Sequence, residues 1–265
     1  MPVLVVQNDA SDPIGPLGEW LVDAGLTLEG RSAVDETALD GYAGLIVLGG
    51  GMNANDQRLA PVRALLAQAL TDEVPTLGIC LGAQLLTVAL GGVVGPNPEG
   101  PEYGAQLIAK RANAATDPLF REMPITPDVI QWHRDAVLQL PASAVQLASS
   151  PGCDVQAFRA GRLSWGIQFH IETTPEVVRA WAAEDAAELE GYDVERMLER
   201  SDAVHPDLAE VWQPFAAAFA SIVADPSSVP ARRPLRMTTA EPVTDPAAIR
   251  AALAAEAQAA RQLPQ

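Results

Sequence analysis

Apolar positions along this chain follow two alternating rhythms. Short continuous runs at residues 3–6, 45–48 and 76–79 read as strands buried on both faces. Stretches 17–24, 61–70 and 81–90 read as helices, the first opened by the Gly/Pro-rich turn 13–18 and the last stopped by Gly91 and Gly92. Apolar strands separated by helices predict right-handed βαβ crossovers, hence an α/β fold with an open, mostly parallel sheet flanked by helices. From about residue 103 the rhythm shifts toward strands and hairpins at 105–109, 129–131, 144–149, 156–159 and 163–171. Pro175 then stands near the start of a helix running to about residue 189, so a core domain is expected over 1–190. A C-terminal helical extension of one or two helices is expected over 191–223. Its Trp212, Phe215 and Phe219, spaced i, i+3, i+7, read as packed core. Residues 224–265 read as a Pro-rich linker followed by an Ala-rich helix at 247–262, which Asp245 before Pro246 could cap. No internal repeat is found.

Charge narrows the partners. With 17 Lys and Arg against 34 Asp and Glu, the formal charge is −17, and Lys110 is the sole lysine. Nucleic acid and anionic membrane are bound through clustered cations, so both are disfavoured as partners, and the acidity reads as a solvated surface. The two cysteines, Cys80 and Cys153, make no disulfide framework in a chain of 265 residues, which fits a reducing compartment. The start of the chain has no basic region ahead of an apolar one, and no apolar run approaches the roughly 20 residues of a membrane span. A cytoplasmic protein is expected. Three scattered histidines offer no metal-ligand spacing, and Gly49-Gly50-Gly51 lacks the dinucleotide-binding pattern, so no metal or cofactor is expected.

The informative string is Gly78-Ile79-Cys80-Leu81-Gly82-Ala83-Gln84, which follows an expected strand and opens an expected helix. A nucleophile at a sharp strand-to-helix turn needs small residues two before and two after it, because the backbone folds back past itself. Gly78 and Gly82 stand there. A thiol at a helix N-terminus also feels the positive end of the macrodipole, which favours thiolate. Taken alone, the turn leaves Cys80 equally open to being a buried structural cysteine.

A second constellation tips the balance. Over residues 163–172 the pattern has period two, with Trp165, Ile167, Phe169 and Ile171 on one face and Gly166, Gln168, His170 and Glu172 on the other. His170 and Glu172 are therefore neighbours. A cysteine nucleophile needs a base, and the base needs a carboxylate to hold its tautomer. Alone, His170 would read as a satisfied histidine at a strand end; beside an elbow cysteine it reads as the base. The turn at Gly49, Gly50 and Gly51 could present backbone amides to a developing oxyanion, and the N–H groups of Gly51 and Leu81 are the candidates for that hole.

These three motifs together resemble the class I, triad-type glutamine amidotransferases, in particular a stand-alone domain similar to the glutaminase part of GMP synthase. The resemblance spans residues 2–190. It implies a catalytic domain there with a flavodoxin-like three-layer fold, in which Cys80 attacks the γ-carboxamide of L-glutamine, His170 moves the proton and Glu172 orients His170. Ammonia would leave, and water would hydrolyse the γ-glutamyl thioester. Gln84 matches a position that contacts the amino-acid end of the substrate. The segment containing Trp132, His133 and Asp135 resembles the loop that presents groups to that end, and Gly50 joins this substrate-binding set. Ile171 stands where the family usually has proline. A phosphate-gripping glycine loop is not found elsewhere, so the ammonia would pass to a separate synthetase subunit. A hydrolase of γ-glutamyl amides or peptides would use the same triad, because only the leaving amine differs. An idle binding subunit is the remaining alternative. Leu81 argues against a related cysteine-elbow fold that places histidine right after the cysteine. His205 and Cys153 read as structural.

Overall fold

The computed structural model describes residues 1–33 and 38–230. The chain opens with β1 (Val3–Gln7), α1 (Gly15–Asp23), β2 (Leu28–Ser32) and β3 (Gly44–Val47), followed by α2 (Ala60–Thr71), β4 (Thr76–Ile79) and α3 (Leu81–Ala89). Next come β5 (Val93–Pro96), β6 (Glu102–Leu107), β7 (Ala109–Lys110), β8 (Asp128–His133), β9 (Asp135–Gln139), β10 (Ala144–Ser149), β11 (Ala157–Ala160) and β12 (Ser164–Ile167). Two helices close the described chain, α4 (Pro175–Glu184) and α5 (Val194–Ala224).

Eight strands form one sheet in the order β2-β1-β3-β4-β12-β11-β10-β7. The first five run parallel, and β11, β10 and β7 extend the sheet in antiparallel fashion. The continuous apolar runs are explained by two cores, one on each side of the sheet. Val3, Val5, Ile46, Leu77, Trp165 and Ile167 pack with α1 and α5, whereas Leu4, Val6, Leu45 and Val47 pack with α2 and α3. Because β1, β3, β4 and β12 are parallel, the loops that follow them gather along one crest of the sheet, where sites of open α/β folds are built.

Two ribbons stand outside the sheet, β5 with β9 and β6 with β8, both antiparallel. The expected strand over 163–171 leaves the sheet after Ile167: His170 instead forms an isolated antiparallel bridge with Ile130 of β8. The helix expected to run to residue 189 ends at Glu184, and a turn through Gly191 leads to Asp193, whose side chain caps α5 by accepting from Arg196 N at 3.1 Å. Residues 194–224 make one continuous helix with Trp212, Phe215 and Phe219 buried against the sheet, as the spacing implied. Pro206 and Pro214 lie inside it without breaking it. Both are on its exposed side, so the carbonyls left without a donor face water. Most of the expected linker and the whole expected helix at 247–262 lie outside the described residues.

Candidate active site

The turn at Cys80 has the geometry that its flanking glycines imply. Cys80 adopts φ 49° and ψ −107°, a left-handed region that few side chains occupy, between the last residue of β4 and the first of α3. A Cβ on Gly78 would lie 2.6 Å from the Gly82 backbone, and one on Gly82 would lie 2.0 Å from the Val47 carbonyl oxygen. The elbow therefore closes only with glycine at both positions. Cys80 N donates to Ile167 O at 2.8 Å, which ties Cys80 to the strand that leads to His170.

Beyond that strand, Glu172 Oε1 accepts from His170 Nδ1 at 2.7 Å, and Glu172 Oε2 accepts from Ile171 N at 2.8 Å. Both side chains are almost wholly buried. With Nδ1 committed to the carboxylate, Nε2 is left without a hydrogen-bond partner and faces the sulfur of Cys80. Burial opposes the imidazolium, but Glu172 and then Cys80 outweigh it, and His170 titrates well above the ordinary histidine range. Gln168, one period before His170, donates from Nε2 to Cys80 Sγ at 3.6 Å, a contact that period-two patterning had left without a role.

The glycine turn after β3 lies over the elbow. Gly50 and Gly51 line the same cavity as Cys80, and Asn8 holds the loop by donating to Leu48 O at 2.6 Å. Leu81 N is the first amide of α3 and has no intrahelical carbonyl to serve. The Gly51 amide is turned instead toward the carboxylate of Asp9, which it helps to hold below the usual aspartate range, after the larger effect of the Ser11 amide.

The expected substrate residues are brought to the same cavity, each already engaged. Gln84 Nε2 donates to Asp135 O at 3.0 Å and to Gln168 Oε1 at 3.2 Å. Trp132 donates from Nε1 to Asp185 Oδ2 at 2.8 Å, and Asp135 Oδ2 accepts from Asn53 at 2.8 Å. His133 is clamped between Asp135 O and Glu102 Oε2, each at 3.0 Å. Since Asp135 O can only accept, His133 Nδ1 carries a proton and Nε2 meets a carboxylate that also receives Gln156 and Ser150. Such a histidine braces the loop.

Glu102, His133 and Cys153 bring one ligand atom each to within 4.8 Å of one another, close enough for a metal. Their atoms are already used among themselves and by neighbours, Cys153 Sγ donating to Val155 O at 3.6 Å. Burial, then Glu102, pushes the Cys153 thiol up to about 12 and keeps it protonated. His205, half-buried, contacts Ser201 O at 2.6 Å and Thr173 Oγ1 at 3.2 Å, which agrees with a structural role.

Sequence reasoning did not find Asp12. This carboxyl stands in the loop after β1, almost fully buried, and shares the space over Gly49 with the base: a Cβ there would lie 2.5 Å from Asp12 Oδ2 and 3.3 Å from His170 Cε1. Burial raises Asp12 to about 6; His170 opposes the shift, while Glu172 and Asp9 add to it. Trp181 of α4 was missed as well, its ring centroid 4.7 Å from that of His170. The one available signal was the two aspartates, Asp9 and Asp12, in the loop after a buried strand, on the crest where sites form.

A family model for class I glutamine amidotransferases matches residues 21–184. The chain belongs to this family. Among amidotransferase relatives, the glutamine amidotransferase-like protein YfeJ of Salmonella typhimurium is 30% identical over 200 residues, 71% of this chain and 83% of its own. Gamma-glutamyl peptidase 3 of Arabidopsis thaliana is 33% identical over 149 residues, 54% of this chain and 60% of its own. The GMP synthase of Staphylococcus aureus is 40% identical over 100 residues, but these are only 18% of that protein and 37% of this one. Among solved structures, a glutamine amidotransferase from Thermotoga maritima superposes with a TM-score of 0.73 at 26% identity, over 83% of this chain and 98% of its own. The mostly parallel sheet flanked by helices is thus the amidotransferase fold. Among the described residues, no helix is long and apolar enough to cross a membrane.

Proposed function

We propose that this amidotransferase hydrolyses the γ-carboxamide of glutamine through a γ-glutamyl thioester on Cys80. The observation that carries the reading is the unpartnered, buried Nε2 of His170 facing the thiol, with Glu172 fixing the opposite nitrogen. The thiol proton passes to Nε2, sulfur attacks the amide carbon, and the oxyanion is received by the Leu81 amide. His170 returns the proton to the departing nitrogen, the C–N bond breaks, and ammonia leaves. Water then gives a proton to His170 and attacks the thioester; the C–S bond breaks, and glutamate and free thiol are restored. Ammonia would be handed to a separate synthetase, a reading supported by the GMP synthase similarity.

A second reading keeps every step and changes the amine: N-substituted γ-glutamyl amides or peptides are cleaved. The similarity to a gamma-glutamyl peptidase and a cavity of about 440 Å³ that runs on past the triad to α4 both favour it. The test is release of glutamate and amine by wild type, Cys80→Ala, His170→Ala and Glu172→Gln, with acid-quenched mass spectrometry of the Cys80 peptide. A γ-glutamyl adduct on that peptide is expected. His170→Ala should cost about 10³-fold or more, and Glu172→Gln less, because the carboxylate orients without transferring the proton. Full turnover by Cys80→Ala would sink the covalent mechanism.

A further inference from the structure

The cavity beside Cys80 is lined by five carboxylates, Asp9, Asp12, Asp135, Glu184 and Asp185, against a single arginine, Arg134, already paired with Glu188 at 2.6 Å. The chemistry divides these acids. His170 protonates the departing nitrogen, so whatever that nitrogen carries must begin beside the imidazole. Asp12 stands there, sharing the space over Gly49, and so does Trp181. Glu184 and Asp185 follow Trp181 at i+3 and i+4, which keeps all three on one side of α4. Asp135 holds Gln84 through its backbone oxygen, and by the family resemblance both meet the amino-acid end of the glutamyl group, so they are set aside for its α-ammonium.

Independent features point to a cation at the leaving-group end. Glu184 is the last residue of α4 and Asp185 its C-cap, so both anions sit where the helix dipole is already negative and a positive group is favoured. The indole of Trp181 lines the same cavity beside His170 and gives this end an aromatic wall of the kind that favours a cation. His170 and Cys80 both line this cavity, and the buried Nε2 of His170 has no hydrogen-bond partner there, which marks it as the place where the reacting amide is received. Raised to about 6 by burial, Asp12 would be drawn back toward the ionised form by an ammonium nearby.

We infer that the substrate is an N-substituted γ-glutamyl amide whose leaving amine bears a second, protonated amine, a γ-glutamyl diamine or polyamine conjugate, hydrolysed to glutamate and the free amine. This rests on Cys80-dependent γ-glutamyl cleavage and names the substrate class within it. The amide C–N bond breaks as the C–S bond forms, His170 supplies the amine's proton, and water alone completes the turnover.

The experiment compares kcat/KM for γ-glutamyl-diaminobutane, its uncharged isostere γ-glutamyl-pentylamine, the anionic γ-glutamyl-aminovalerate and glutamine at low ionic strength. The cationic amide should exceed the neutral one by about tenfold and the anionic one by more, with the ratio shrinking as salt is added. Glu184→Gln should lower the cationic-to-neutral ratio about threefold, with the rate on the neutral amide unchanged. Equal or reversed ranking, with glutamine and the neutral amide still cleaved, overturns the substrate class and leaves the thioester mechanism standing. No cleavage of any substrate, and no adduct on Cys80, overturns both.

Discussion

Asp12 makes the site costly to the fold in a way that pH can expose. Its carboxyl titrates near 6 in the folded chain, against 3.8 for a free aspartate, because burial penalises the charge. Between these values the native state holds more protons than the unfolded one, so stability falls as pH rises through that window. Below about 3.8 both states are protonated and the penalty is absent; above about 6 it is complete. A shift of about two pH units corresponds to about 3 kcal/mol. Replacing Asp12 with asparagine removes the ionisation while keeping shape. Asp12→Asn should therefore match wild type near pH 4 and exceed it by up to about 3 kcal/mol at pH 7.5, with the gain growing between pH 4 and 6. Urea unfolding of both proteins across that range measures the difference directly and cancels the titration of every shared group. A difference that stays flat across the window, or an Asp12→Asn protein less stable at pH 7.5, would refute the reasoning.

Two further substitutions probe the elbow. Gly82→Ala places a methyl 2.0 Å from the Val47 carbonyl oxygen and should cost about 4 kcal/mol or more, or prevent folding, whereas Gly30→Ala on β2, with nothing within 4 Å, should stay within about 0.5 kcal/mol in the same denaturation assay. Cys80→Gly should abolish turnover yet stabilise the fold by about 1 kcal/mol, since glycine relieves the left-handed backbone at φ 49°; a lower melting temperature would argue that the elbow stores no strain.

What could be read beforehand follows from the range of the interactions. β1, β3 and β4 are buried on both faces, so their residues are continuously apolar and unmistakable. β2 is an edge strand with one large apolar residue, Leu28, and its pairing to β1 leaves no mark on its own pattern. The β5 and β9 ribbon was missed for a similar reason, as Gly95 and Pro96 disguise one strand and polar ends the other. His170 and Glu172 were legible because two residues apart in an extended chain means one face. Cys80 was legible through its glycines. Asp12, Trp181 and Glu184 were not, because each reaches the cavity from a different element, and only tertiary packing brings residues 12, 181 and 184 to position 170. The end of α4 was overestimated because the apolar spacing continues to Leu189 through a turn that keeps that residue buried.

The bridge between His170 and Ile130 divides the proposed triad between two mountings. The thiol rides on the elbow of the main sheet. The imidazole hangs from the β6 and β8 ribbon through paired backbone hydrogen bonds of 2.8 and 3.2 Å. That ribbon is in turn braced by α5, where Ser201 Oγ accepts from Ala105 N at 3.2 Å and Trp212 Nε1 donates to Asp128 O at 3.1 Å. The alignment of Cys80 and His170 therefore draws on both the sheet and the ribbon. α5, which bears none of the expected site residues, thus stands behind the ribbon from which His170 hangs, so loosening its grip should lower turnover before it melts the fold.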